Sequence, residues 1–70
     1  MKAFQERLKY LRNEKGIGQE ELAKELGVSK GIISFWENGQ RSPTLGNLLA
    51  IANYFHVSID YLAGLTDEYK

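Results

Sequence analysis

The stretch GVSKGIISFWENG, Gly27 to Gly39, sets Lys30, Gly31, Ser34 and Phe35 along what reads as the outer face of a short helix. An ammonium group donates hydrogen bonds, a hydroxyl donates or accepts them, and a phenyl ring presses on apolar surface. That set suits recognition by contact, whereas water would favour a uniformly charged face. The parts for bond-making chemistry are missing. No histidine stands near a serine in a catalytic pattern, there is no thiol, and no glycine-rich phosphate cradle occurs, so no enzyme is expected. The lone histidine, His56, falls short of the three or four protein ligands of a zinc site; it reads as a polar cap at a helix C-terminus. Without cysteine there is neither a thiolate metal site nor a disulfide framework. No cofactor, metal or small-molecule substrate is expected.

Elements short enough to present such a face follow from the chain itself. Its 70 residues make one domain, which must rest on one continuous core because so short a chain buries little over half of its surface. Proline occurs only at position 43 and no β-branched residues alternate with polar ones, so the class is all-α. Five helices are predicted, over about 2–14, 19–26, 30–37, 45–55 and 59–63. Phe4, Leu8 and Leu11 give the first its apolar stripe, and Gly16 stops it. Glu20 and Glu21 favour the N-terminal end of the second, which buries Leu22, Ala23 and Leu26 before Gly27. Ser29 caps the third, with Ile33 and Trp36 inward and Asn38-Gly39 at its end. Thr44 caps the fourth, whose Leu45, Leu48, Leu49, Ala52 and Phe55 fall on one side, and Ser58 caps the fifth. The last residues, GLTDEYK, read as a frayed tail. The N-terminus has no apolar run of a signal peptide and no segment is apolar enough to span a bilayer, which points to the cytoplasm and away from membranes.

Only Gly27, Val28 and Ser29 separate the second and third helices, too few for an antiparallel return, so the two must cross steeply as a helix-turn-helix. A small Ala23 lets the third helix come close, Gly27 takes a backbone shape that a Cβ resists, and Val28, Ile33 and Trp36 point inward to lock the angle. This ordered set runs from Gln19 to Trp36. On these residues, GQEELAKELGVSKGIISFWENGQRSPTLGNLLAIANYFHVSIDYLAG resembles the helix-turn-helix family of phage Cro and repressor proteins, the xenobiotic-response-element regulators, and the likeness covers roughly residues 3–64.

The resemblance implies a compact five-helix bundle that binds double-stranded operator DNA, usually as a dimer, with the third helix in the major groove. It implies a sequence-specific transcriptional regulator, most simply a repressor that occupies a palindromic operator. By position it places Ser29, Lys30, Gly31, Ser34 and Phe35 toward base edges or their flanking phosphates. Gln19, Asn38, Gln40 and Arg41 fall to phosphates, and Arg12 pairs with Glu37 near another. On such a face Lys30 donates to guanine or phosphate, Ser34 donates or accepts, Phe35 meets a thymine methyl, and Gly31 lets backbone approach. Members often carry glutamine, arginine or asparagine where this chain has Gly31 and Phe35, and part of the specificity is then read from DNA shape. That departure motivates the competing expectation, a protein-interaction module docking through Phe35, Ile32 and Trp36.

Charge decides less than its distribution. Nine Lys plus Arg balance nine Asp plus Glu, but residues 1–44 hold eight bases to six acids and residues 45–70 one base to three acids. A neutral monomer makes few phosphate contacts and binds weakly, so a two-fold pair is expected at least on DNA. The C-terminal end is the expected dimer surface, through Ile59, Tyr61, Leu62, Leu65 and Tyr69.

Overall fold

The computed structural model describes residues 2–69. They form five helices: α1 Lys2–Lys15, α2 Gln19–Leu26, α3 Lys30–Asn38, α4 Leu45–Phe55 and α5 Ile59–Ala63. The predicted spans hold to within a residue at each end, because the caps that set them are local. The side chains of Ser29, Thr44 and Ser58 each accept the backbone N–H three residues on, at 3.2, 3.1 and 3.0 Å. Gly18 opens α2 with no such bond. Helix ends turn through left-handed residues that reclaim the last carbonyls; at Gly27, φ is 71° and the N–H faces the carbonyls of Ala23 and Lys24.

One core joins all five helices. Phe4, Leu8 and Leu11 of α1 meet Leu22 and Ala23 of α2, Ile33 and Trp36 of α3, Ile51 and Ala52 of α4, and Tyr61 and Leu62 of α5. Trp36 lies edge-on to Phe4, with ring centroids 6.4 Å apart and planes at 74°, so the indole is a packing element. Three expectations are overturned. On α4, Leu45 and Leu49 are 68% and 51% exposed, while Ile51 is fully enclosed. Leu45, Leu48, Leu49, Ile51, Ala52 and Phe55 spread over about 160° of its circumference, more than one contact face covers, and the buried arc centres nearer Ile51 than Leu49. The tail is not frayed over its described residues, which end at Tyr69. Arg7 donates to the carbonyls of Tyr61 and Thr66 and reaches the Asp67 carboxylate at 2.8 Å, and the Ser58 N–H donates to the Tyr69 carbonyl. Finally, Leu62 has no exposed surface and Tyr61 only 6%, so neither offers a side chain to a second copy. Both are needed to close α5 onto α1, where the Arg7 guanidinium also sits 4.3 Å over the Tyr61 ring.

The same closure makes Gly64 sensitive. Its φ is +84°, and a Cβ there would stand 2.6 Å from the Cβ of Ala3. Gly27 has a similar φ of +71° but nothing within 4 Å. Gly27→Ala is therefore expected to cost about 1 kcal/mol, the backbone strain alone, and Gly64→Ala about 2–3 kcal/mol because α1 and α5 must also part. Urea unfolding of the two variants checks the difference; equal midpoints would place the ends of α1 and α5 farther apart than they are here.

Candidate nucleic-acid interface

The turn Gly27-Val28-Ser29 crosses α3 over α2, and the buried partners then fix which way α3 faces. With Ile33 and Trp36 inward, at 0% and 2% exposure, the helical repeat turns Lys30, Gly31, Ser34, Phe35 and Asn38 to the other side. Lys30 and Gly31 are exposed, Ser34 and Phe35 half-buried, and Asn38 exposed. Lys30 makes no ion pair among the described residues. A Cβ on Gly31 would find only the Ser29 Oγ, at 3.8 Å, so the backbone of the first turn is open to a close approach.

Two hydroxyls on this face keep a proton to give. The Ser29 oxygen accepts the Ile32 N–H as a cap, and the Ser34 oxygen accepts from the Asn38 amide at 3.4 Å, leaving each O–H as a donor. Just beyond α3, the Gln40 N–H donates to the Phe35 carbonyl at 2.9 Å, which folds the chain back over the helix end. The Arg41 guanidinium thereby lies 5.1 Å over the Phe35 ring, within cation–π range. Sequence spacing presents Phe35 and Arg41 as separate contacts, because it hides the reversal at Gly39 that stacks them.

Behind the face lies a buried carboxylate. Glu37 is 4% exposed, and its oxygens accept from Arg12 at 2.7 and 3.0 Å and from the Gln19 amide at 3.0 Å. A further Arg12 nitrogen donates to the Ile17 carbonyl at 3.0 Å. The expected Arg12–Glu37 pair is present, and its hydrogen bond to Glu37 holds the guanidinium proton still more firmly than usual. Of the Gln19 side chain, which the resemblance assigns to phosphate, one amide N–H is committed to Glu37, joining α1, α2 and α3 at one point. Nothing in the sequence pattern pointed to that bond. Of the fifteen expected site residues, those from 29 to 41 gather around α3, Arg12 and Gln19 brace it from behind, and the C-terminal group splits between core and surface. Leu65 and Tyr69 are 77% and 50% exposed and Ile59 is half-buried. The docking patch of the competing expectation is much reduced, since Trp36 is enclosed and Ile32 and Phe35 are each half-buried.

Two helices joined by a three-residue corner, the second locked on one side and open on the other, define a helix-turn-helix domain. The chain belongs to the helix-turn-helix family, in its Cro and phage-repressor branch; the family model matches residues 8–62. It is 44% identical over 59 residues to the transcriptional activator BcrR of Enterococcus faecalis, an alignment covering 84% of this chain and 29% of BcrR. The P22 c2 repressor, solved in complex with a synthetic operator, superposes with a TM-score of 0.82 at 37% identity over 89% of this chain and 94% of that one. The N-terminal DNA-binding domain of SinR from Bacillus subtilis gives a TM-score of 0.82 at 30% identity, covering 90% and 93%. Against whole relatives the chain spans less, 29% of BcrR and 56% of the regulator YobD of Bacillus subtilis. Among the described residues no helix is long and apolar enough to cross a membrane.

Proposed function

We propose that this chain is the DNA-reading unit of a transcription regulator, and that it acts in the cytoplasm by inserting α3 in the major groove of an operator. One observation carries the reading: the side of α3 opposite Ile33 and Trp36 is left with donors and an open backbone while every inward position is packed. In the groove, Lys30 donates to guanine or phosphate, the hydroxyls of Ser29 and Ser34 meet base edges, and Phe35 faces a thymine methyl. Arg41, Gln40 and Asn38 engage the backbone at the end of the helix, and Gln19 and Arg12 use their remaining N–H groups at its other side. The operator complex of the P22 c2 repressor, at 37% identity, supports this docking. Repression by occupation is the simplest outcome of such binding.

The net charge is zero, so one copy releases few counterions, and we infer a two-fold pair on DNA with α3 helices roughly 34 Å apart. Leu65 and Tyr69 remain from the expected surface, and Ile59 shares a cleft with the exposed Leu49. Selection from a random duplex pool, followed by fluorescence anisotropy on the winning sequence, tests the whole reading. A recurring palindrome is expected, bound with an affinity that falls steeply with salt. No enrichment, with no retention on heparin at low salt, would overturn it, and a purely monomeric complex by sedimentation would remove the pair.

A further inference from the structure

Away from α3, a cleft of about 300 Å³ opens between α1, the end of α4 and the returning tail. Three aromatic residues line it, Tyr10 from α1, Phe55 from α4 and Tyr69 from the tail, together with the polar residues Glu14 and His56. Two of those rings are partly wet, Tyr10 being 45% and Tyr69 50% exposed, with Tyr69 edge-on to Tyr61 at 5.2 Å between centroids. The DNA-reading face uses none of these residues. No lysine or arginine lines the cleft among the described residues, and the Lys15 ammonium is drawn instead over the Tyr54 ring at 4.8 Å.

We infer that this cleft binds a small organic cation carrying one apolar ring. Aromatic faces attract a cation through their quadrupole, an attraction that persists, more weakly, at partly exposed rings. Glu14 adds the complementary charge. Glu14 is felt at the cleft wall: the Tyr10 hydroxyl is pushed up to about 12, first by the adjacent Tyr69 hydroxyl and then by the Glu14 charge. The volume stands at the low end of small-ligand sites, which limits the occupant to about one ring plus its cationic group.

The backbone singles out the same place. Glycine takes the positive-φ turn after α1, α2, α3 and α5, at Gly16, Gly27, Gly39 and Gly64; after α4 it is His56, with φ 57°. A side chain in that conformation costs about 1 kcal/mol that a glycine avoids. What it supplies is a polar residue at the edge of this cleft, shared with the shallower one beside Leu49 and Ile59. The cleft is also connected to the reading face, since α1 lends it Tyr10 and Glu14 and, between them, holds Arg12 on Glu37.

The probe is benzyltrimethylammonium, with benzyl alcohol as its neutral and phenylacetate as its anionic counterpart, each titrated into the protein and followed by two-dimensional amide NMR without DNA. Saturable shifts are expected for residues 9–15, 55–58 and 69 with the cation, weaker ones with the alcohol and none with phenylacetate. Glu14→Gln, an exposed helix position where glutamine folds as well, is expected to weaken the cation threefold to tenfold, roughly, and to leave the alcohol unchanged. Lys30→Ala should change neither. The inference is overturned by the absence of saturable shifts at the cleft up to roughly 10 mM probe, or by equal binding of cation and alcohol, or by an unaltered affinity in Glu14→Gln. Because DNA is absent, none of these outcomes bears on the reading of α3.

Discussion

Glu37→Ala is expected to lower stability by about 3 kcal/mol and the thermal midpoint by about 15 °C in a domain of this size. The carboxylate side chain is 2% exposed and its two oxygens accept three hydrogen bonds, two from Arg12 and one from Gln19. Its removal strands a guanidinium whose side chain is only 14% exposed, and an unpartnered buried charge costs more than the pair contributes. Arg12 keeps its bond to the Ile17 carbonyl, which holds the loss to the low end of the usual range. The contrast lies at Asp67, paired with Arg7 at 2.8 Å but 99% exposed; Asp67→Ala should stay within about 0.5 kcal/mol. Circular dichroism melts of the two variants decide it. Similar midpoints would mean that Glu37 is hydrated and that α3 is not held from behind.

The second large effect concerns DNA. Removing Lys30 and Arg41 together should weaken operator binding at least a hundredfold, roughly, if each contributes one charged interaction in each of two copies. The slope of log affinity against log salt should become shallower by about one for every phosphate that is no longer neutralised. Phe35 refines the test, because its ring lies under the Arg41 guanidinium at 5.1 Å. Phe35→Leu keeps an apolar bulk for a thymine methyl and removes the face that carries the cation. If the ring acts through Arg41, the leucine variant loses salt-dependent affinity in the parent and nothing further in Arg41→Ala. If it touches a base, the two effects add and preference changes at one base pair. Wild-type binding by the Lys30→Ala, Arg41→Ala double variant would show that this surface does not meet DNA.

Why the helices could be read in advance, and some surfaces could not, has a physical basis. Caps act over three residues, so Ser29, Thr44, Ser58 and the glycines after helices mark their ends wherever the rest of the chain goes. Ala23, Gly27, Val28, Ile33 and Trp36 are equally local, since the corner between α2 and α3 joins neighbours in sequence. Long-range choices are different. Periodicity put Leu45 and Leu49 inside with the rest of α4, and only the positions of α2 and α5 turn the helix toward Ile51. Nothing in GLTDEYK announces that Arg7, about sixty positions earlier, will hold its Thr66 carbonyl and Asp67 carboxylate. The Gln19–Glu37 bond is hidden for the same reason, so the face of α3 was legible and its bracing only in part.

The central claim is that the outward side of α3 is the surface that meets DNA. Amide and side-chain NMR shifts on titration with the selected duplex test it most directly. The expected perturbations cluster on residues 29–41, with a second group at Gln19 and Arg12, and leave Tyr10, Glu14 and Phe55 still. Shifts concentrated on α4 and the tail, with Lys30, Ser34 and Phe35 unmoved, would contradict it.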